Sequence, residues 1–150
     1  MRILLDTGIL GALCHKDRER AALAEARIAA TRHEGAETTE IWVPELADFE
    51  LRRKLLHIGS RASLARLDRL AADLGYLPIT TAIMRDAARL WAEARSHGSP
   101  TAAPQGLDGD VILAAQALSV QGTVATANRK HLGALGVSIE DMSELFSKQA

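Results

Sequence analysis

The chain has 150 residues, 47 % of them apolar, and a formal net charge of −1 at pH 7. That length suits one domain with its own hydrophobic core over residues 1–150, and the near-neutral charge argues against a surface coated with basic residues for nucleic acid, though not against a local basic patch. A lone cysteine, Cys14, excludes an internal disulfide, and the apolar run in MRILLDTG is too short for a signal peptide or a membrane span, so a protein of a reducing cytoplasm is expected.

Arg2 to Leu5 is predicted to be a short buried strand that ends at Asp6-Thr7-Gly8. Asp17 to His33 is alanine-rich, with Arg and Glu at helical spacing, and is followed by a polar loop, Glu34 to Glu40. Ile41 to Val43 is a second strand, and Pro44 suits the first turn of a helix that buries Ala47, Leu51, Leu55 and Ile58 and stops at Gly59. Ser60 or Ala62 to Leu74 is an amphipathic helix closed by Gly75, and Tyr76 to Ile79 is a strand. Thr80 is placed to cap a helix over Ala82 to His97, with Ile83, Ala87, Leu90, Trp91 and Ala94 as its stripe. A loop from Gly98 to Gly106 precedes LDGDVILAAQAL, which from Val111 reads as a buried helix with Asp108 and Asp110 at its mouth. A strand over Thr123 to Thr126, a turn over Asn128 to Leu132, a last strand over Val137 to Ile139 and a polar amphipathic tail complete the chain.

Strands alternating with helices point to a parallel α/β sheet covered on both faces, and sites in such sheets lie at the carboxyl ends of the strands. Asp6 and the Thr126–Asn128 segment fall there, and the opening of the Asp110 helix can face the same edge, which predicts an acidic rim. Each residue also has a plainer explanation. Asp6 can cap a helix, and one of Asp108 and Asp110 can serve the helix N-terminus, although the second carboxylate is then left over. Glu50 can pair with Lys54 on the helix surface, and helical phase does not choose between Glu50 and Asp48 as the acid of that helix.

Other chemistries lack their residues. His15, His33, His57, His97 and His131 show no paired spacing for zinc and are read as exposed or locally bonded. Neither a G-x-S-x-G elbow nor a G-x-x-x-x-G-K-[ST] loop occurs. Carboxylates, a threonine hydroxyl and an amide remain, the oxygen set that Mg²⁺ or Mn²⁺ prefers.

Four blocks in order now resemble the PIN-domain ribonucleases, the family that includes VapC-type toxins. ILLDTGIL resembles the first strand and acid, VPELADFELRRKL the glutamate helix, LDGDVILAAQAL the third block and VATANRKHL the fourth. The resemblance implies a PIN-like α/β/α sandwich around a mainly parallel sheet of four to five strands. It also implies Mg²⁺ (or Mn²⁺) held by Asp6, Glu50, Asp108 and Asp110, with Asp6, Glu50 and Asp110 catalytic. Thr7, Thr126 and Asn128 would bind substrate or position water. The sequence departs from the pattern at Gly8, where Asn or Ser is frequent, and at Asn128 and His131, where other members carry acids.

What the resemblance implies is endoribonuclease activity on RNA phosphodiesters, a toxin's role, a homodimer and a small antitoxin partner, with no membrane. Arg52, Arg53, Lys54, Arg129 and Lys130 are candidates to hold the RNA backbone. The five aromatic residues, Trp42, Phe49, Tyr76, Trp91 and Phe146, are too few to suggest binding by base stacking. The rival expectation is a PIN-like protein-binding module with little or no nuclease activity. A different Mg²⁺ phosphohydrolase fits less well, because Asp108-x-Asp110 precedes a helix instead of following a strand.

Overall fold

The computed structural model describes residues 1–33, 38–97 and 104–147. Five strands form one sheet: β1 (Arg2–Leu5), β2 (Glu40–Pro44), β3 (Gly75–Leu77), β4 (Thr123–Thr126) and β5 (Ser138–Asp141). Their order is β3-β2-β1-β4-β5, and every pairing is parallel. The chain therefore builds outward from β1 in one direction, then crosses to the other side of β1 to lay down β4 and β5. This reversal opens a crevice at the carboxyl ends of β1 and β4, the place where parallel α/β sheets hold their ligands.

Alternation along the strands divides the core. Ile3 and Leu5 of β1, Ile41 and Val43 of β2 and Ala125 of β4 point to one face. There they meet α1 (Thr7–Leu13), α2 (Arg18–His33), α3 (Glu45–Ile58) and α4 (Arg61–Asp73). Leu4 and Val124 point to the other face, covered by α5 (Thr81–Ser96), α6 (Pro104–Ser119) and α7 (Arg129–Gly133). The result is three layers, helices on each side of the sheet.

Several boundaries differ from expectation, each for a local reason. The seven-residue α1 follows β1 directly, with Asp6 as its cap. Gly75 belongs to β3 and does not close α4; a Cβ there would lie 2.7 Å from the Trp42 ring, so glycine lets the strand pass the indole. Ile58 is exposed, because α3 ends in a left-handed turn at Gly59 (φ 70°) and its last apolar residue lies past the core. The loop expected before the Asp110 helix is shorter than predicted: Pro104 to Gly106 already belong to α6, while 98–103 lie outside the described residues. Of the expected polar loop at 34–40, 34–37 lie outside them as well, and Glu40 opens β2. The tail is anchored: Met142 is fully buried, and Arg27 of α2 bonds Glu140 and Glu144 while also reaching the Thr31 hydroxyl. Thr80 caps α5 as predicted, its hydroxyl accepting from Ile83 N at 3.2 Å.

Candidate active site

Asp6 stands at the reversal point. Its backbone N–H donates to Ala125 O at 3.0 Å, which extends the β1–β4 pairing by one residue and fixes the carboxylate beside the end of β4. One carboxylate oxygen then accepts from Thr7 N at 2.7 Å, the helix cap that the plainer explanation called for. The other accepts from the Thr126 hydroxyl at 2.5 Å. Thr126 is fully buried, and its oxygen in turn accepts from Asn128 N at 2.8 Å. A relay thus runs from the β4–α7 turn through Thr126 to Asp6, and it leaves Asp6 oriented toward the crevice.

Glu50 reaches the same place from α3. The Thr7 hydroxyl donates to its Oε1 at 2.8 Å, joining the first turn of α1 to α3. Its Oε2 lies 3.8 Å from the Arg53 guanidinium; the ion pair is with Arg53, one turn on, where Lys54 was anticipated. The structure also separates Glu50 from its neighbours on the helix. Asp48 faces away, accepting from the Tyr76 hydroxyl at 2.7 Å and pairing with Arg52 at 3.0 Å. Glu45 accepts from Ile79 N at 3.1 Å and secures the turn after β3. Both serve the fold.

From the opposite face of the sheet, α6 brings Asp110. A Cβ on Gly109 would lie 3.2 Å from Glu50 Oε2, so the glycine of LDGD is what lets α6 approach the α3 carboxylate. Asp110 is half-buried, and its carboxyl is pushed up to about 6, by burial first. The His131 imidazole opposes that rise, while the Asp6 and Glu50 carboxylates add to it. Asp108 is exposed. Because α6 begins at Pro104, the two aspartates stand beyond its first turn and two residues apart, so they point in different directions and neither caps the helix.

The sequence-predicted residues therefore fall into groups. Asp6, Thr7, Glu50 and Thr126 are linked by hydrogen bonds, and Asp110 is coupled to Asp6 and Glu50 by charge. Asp108 and Asn128 lie at the solvent edge. Asn128 borders an open cavity of about 710 Å³ that Arg129, Lys130, Ile139, Asp141 and Ser143 also line; none of the three central carboxylates does. Of the proposed cations, Arg52 is committed to Asp48 and Asp68, whereas Arg53, Lys54, Arg129 and Lys130 are exposed. Reading the histidines for zinc spacing passed over His131, which is half-buried on α7 and interacts with Asp110. Its only sequence signal was its place in the fourth block.

The donor chemistry suits a hard divalent cation: several carboxylates face one crevice, and one of them is strained toward its neutral form. Among the described residues, no three His, Cys, Asp or Glu side chains converge closely enough to hold an ion as they stand. The carboxylates spend oxygens on the Thr7 and Thr126 hydroxyls instead. Mg²⁺ tolerates such spacing, since it keeps several waters that bridge to outlying carboxylates.

A model of the PIN domain family matches residues 3–134. No curated protein matches the chain by sequence. Among solved structures, the fold is similar to VapBC2 from Rickettsia felis, bound to a DNA fragment from its promoter, at 16 % identity and TM-score 0.72 over 94 % of this chain and 98 % of that one. It is similar to FitAcB from Neisseria gonorrhoeae at 20 % identity and TM-score 0.66, over 93 % and 96 % of the two chains. Mycobacterium tuberculosis VapC20, a sarcin-ricin loop cleaving toxin, aligns at 16 % identity and TM-score 0.62, over 90 % and 95 %. Those identities speak for the fold alone. The family match takes in β1 to β4 and all of α1, α3 and α6, the elements that carry Asp6, Glu50 and Asp110, and the chain belongs to the PIN-domain family.

Proposed function

We propose that the chain is a divalent-metal-dependent endoribonuclease, the toxin of a toxin–antitoxin pair. The observation that supports this reading is the charge coupling of Asp110 on α6 to Asp6 and Glu50, three carboxylates brought to the neighbourhood of the sheet's reversal point from separate elements. Asp6, Glu50 and Asp110 would hold Mg²⁺ or Mn²⁺, directly or through its waters, with Asp108 at the rim supplementing the cage. Such an ion, when bound, polarises a phosphoryl oxygen and acidifies a water for in-line attack. Thr7 and Thr126 orient the carboxylates. Asn128, whose side chain makes no cap bond to α7, is free to hold the phosphate or a water. Arg53, Arg129 and Lys130 would attend the RNA backbone.

Structural neighbours crystallised as VapBC complexes support a small antitoxin partner, and the family resemblance supports a homodimer. No described helix is long and apolar enough to cross a membrane. The second reading, a PIN-fold binding module, is favoured by one observation: Asp6 and Glu50 accept from threonine hydroxyls, and the described carboxylates do not converge to metal-holding distance. Cleavage of small structured RNAs with Mg²⁺, with Mn²⁺ and with EDTA decides between them. We expect metal-dependent cleavage that Asp6→Asn, Glu50→Gln and Asp110→Asn each reduce by at least about a hundredfold. Cleavage that survives Asp110→Asn, or none by the wild type in either metal, would overturn the nuclease reading.

A further inference from the structure

Within the stretch 111–118 of α6 one side chain is polar, Gln116, and it is fully buried. Its Nε2 donates at 2.8 Å to Leu77 O, at the end of β3. Because the acceptor is a carbonyl, the bond fixes which way the amide faces, and Oε1 is left with no hydrogen-bond partner among the described residues. A buried amide with half its bonding capacity unmet lowers stability relative to an apolar side chain of the same shape. Stability alone would place methionine or leucine here.

The turn that Gln116 grips is shared with a second helix. Pro78 stiffens it, and on its far side Ile79 N donates to Glu45 Oε1 at 3.1 Å. Leu77-Pro78-Ile79 therefore ties α6 to α3, the two helices that carry Asp110 and Glu50. Gln116 follows Asp110 by about 9 Å along α6, and Glu45 precedes Glu50 by about 7.5 Å along α3. Packing gives α6 little other axial register, since Ala114, Ala115 and Ala117 are buried and such small side chains interlock shallowly. Yet α6 passes α3 closely at its other end, where a Cβ on Gly109 would lie 3.2 Å from Glu50 Oε2. We propose, as a deepening of the ribonuclease reading on which it rests, that Gln116 is a positioning residue. Through the turn it sets where α6 stands along α3, and hence how far Asp110 lies from Glu50 and Asp6. A slide by one residue's rise, about 1.5 Å, is enough to spoil a site for Mg²⁺, which demands near-ideal octahedral geometry. The site keeps a polar group that stability would discard.

The test sets Gln116→Met, which keeps the length and removes both the bond and the unpaired oxygen, beside Leu113→Ala, which weakens the packing of the same helix and leaves the tether in place. Each is compared with the wild type in melting temperature, in cleavage of a short RNA across Mg²⁺ concentrations, and in its crystal structure without metal. Gln116→Met should melt within about 3 °C of the wild type. It should nevertheless lose about tenfold in kcat and need about tenfold more Mg²⁺ for half-maximal cleavage, with KM for RNA within about twofold. In its crystal structure Gly109 should stand displaced along the α6 axis relative to Glu50. Leu113→Ala should show the reverse, a melting temperature lower by about 5 °C or more with kcat and Mg²⁺ requirement unchanged below melting. Wild-type kcat and Mg²⁺ requirement in Gln116→Met would overturn the positioning role and leave the ribonuclease reading standing. So would a marked drop in its melting temperature, or losses that Leu113→Ala reproduces, since either makes Gln116 a stability residue. An unmoved α6 would overturn the tether whether or not the protein cleaves RNA. A displaced α6, in a protein whose wild type cleaves nothing, would keep the tether and overturn the ribonuclease reading.

Discussion

Thr126 has more structural consequence than its size suggests. Its buried hydroxyl links the backbone of the β4–α7 turn to the Asp6 carboxylate, accepting from Asn128 N and donating to Asp6. Thr126→Val conserves volume and removes both bonds, so the stability cost should be that of unpaired polar groups, about 1–3 kcal/mol. Cleavage should fall further than stability, because Asp6 loses its orientation; Thr126→Ser, which restores the hydroxyl, should recover cleavage despite a missing methyl. If Ser is as inactive as Val while both melt alike, the residue serves packing alone. Residues of this kind were visible in the sequence as candidates, since Thr126 ends a strand beside an expected rim, but their bonds were not. Glu50 and Asp48 illustrate the limit: both border the apolar face of α3, and what separates them is contacts made far along the chain, with Thr7 and Gly109 for one and Tyr76 for the other.

Elements were predictable where periodicity had room to speak. The α2, α4 and α5 helices each run for 13 residues or more and came close to their expected limits. Helix α1, only seven residues long and holding two glycines, offered too short a window: its Ile9, Leu10 and Leu13 lie on one helical face, but three residues in little more than one turn do not establish a period. The start of α6 misled for the opposite reason. Pro104, Gly106 and Gly109 are loop residues by composition, yet α6 runs through them and uses Gly109 to pass Glu50. That close approach gives a prediction with two opposed signs. Gly109→Ala improves helix propensity by about 0.8–1 kcal/mol, and its Cβ must displace the Glu50 carboxylate from 3.2 Å. We expect an unchanged or slightly higher melting temperature together with at least about a tenfold loss of cleavage. Full activity in Gly109→Ala would mean that Glu50 acts from a different position than the one seen here.

The whole sheet order could not be read from sequence, because β1 pairs with β4 across most of the chain and only folding brings Asp6, Glu50 and Asp110 from three separate layers' edges to one crevice. Such an assembly makes stability, protons and metal a single coupled equilibrium. The Asp110 carboxyl rises from 3.8 to about 6 on folding, so the native protein holds a proton that the unfolded chain releases over that interval. Stability without metal should therefore fall as pH rises from about 4 to about 6 and stay lower above it, and Asp110→Asn should remove that part of the decline. On the proposed function, Mg²⁺ or Mn²⁺ would bind the native state only, and at a hundred times its dissociation constant it should add about 2.7 kcal/mol, on the order of 5–10 °C in melting temperature for a domain of this size. At pH 5 the ion must first displace the Asp110 proton, so its stabilising shift should be smaller there than at pH 8. Melting curves at both pH values, with EDTA and with excess metal, for the wild type and Asp110→Asn, separate the possibilities. Equal shifts at the two pH values, or a full shift in Asp110→Asn, would mean that any bound ion rests on other residues and that the raised Asp110 carboxyl answers to burial alone.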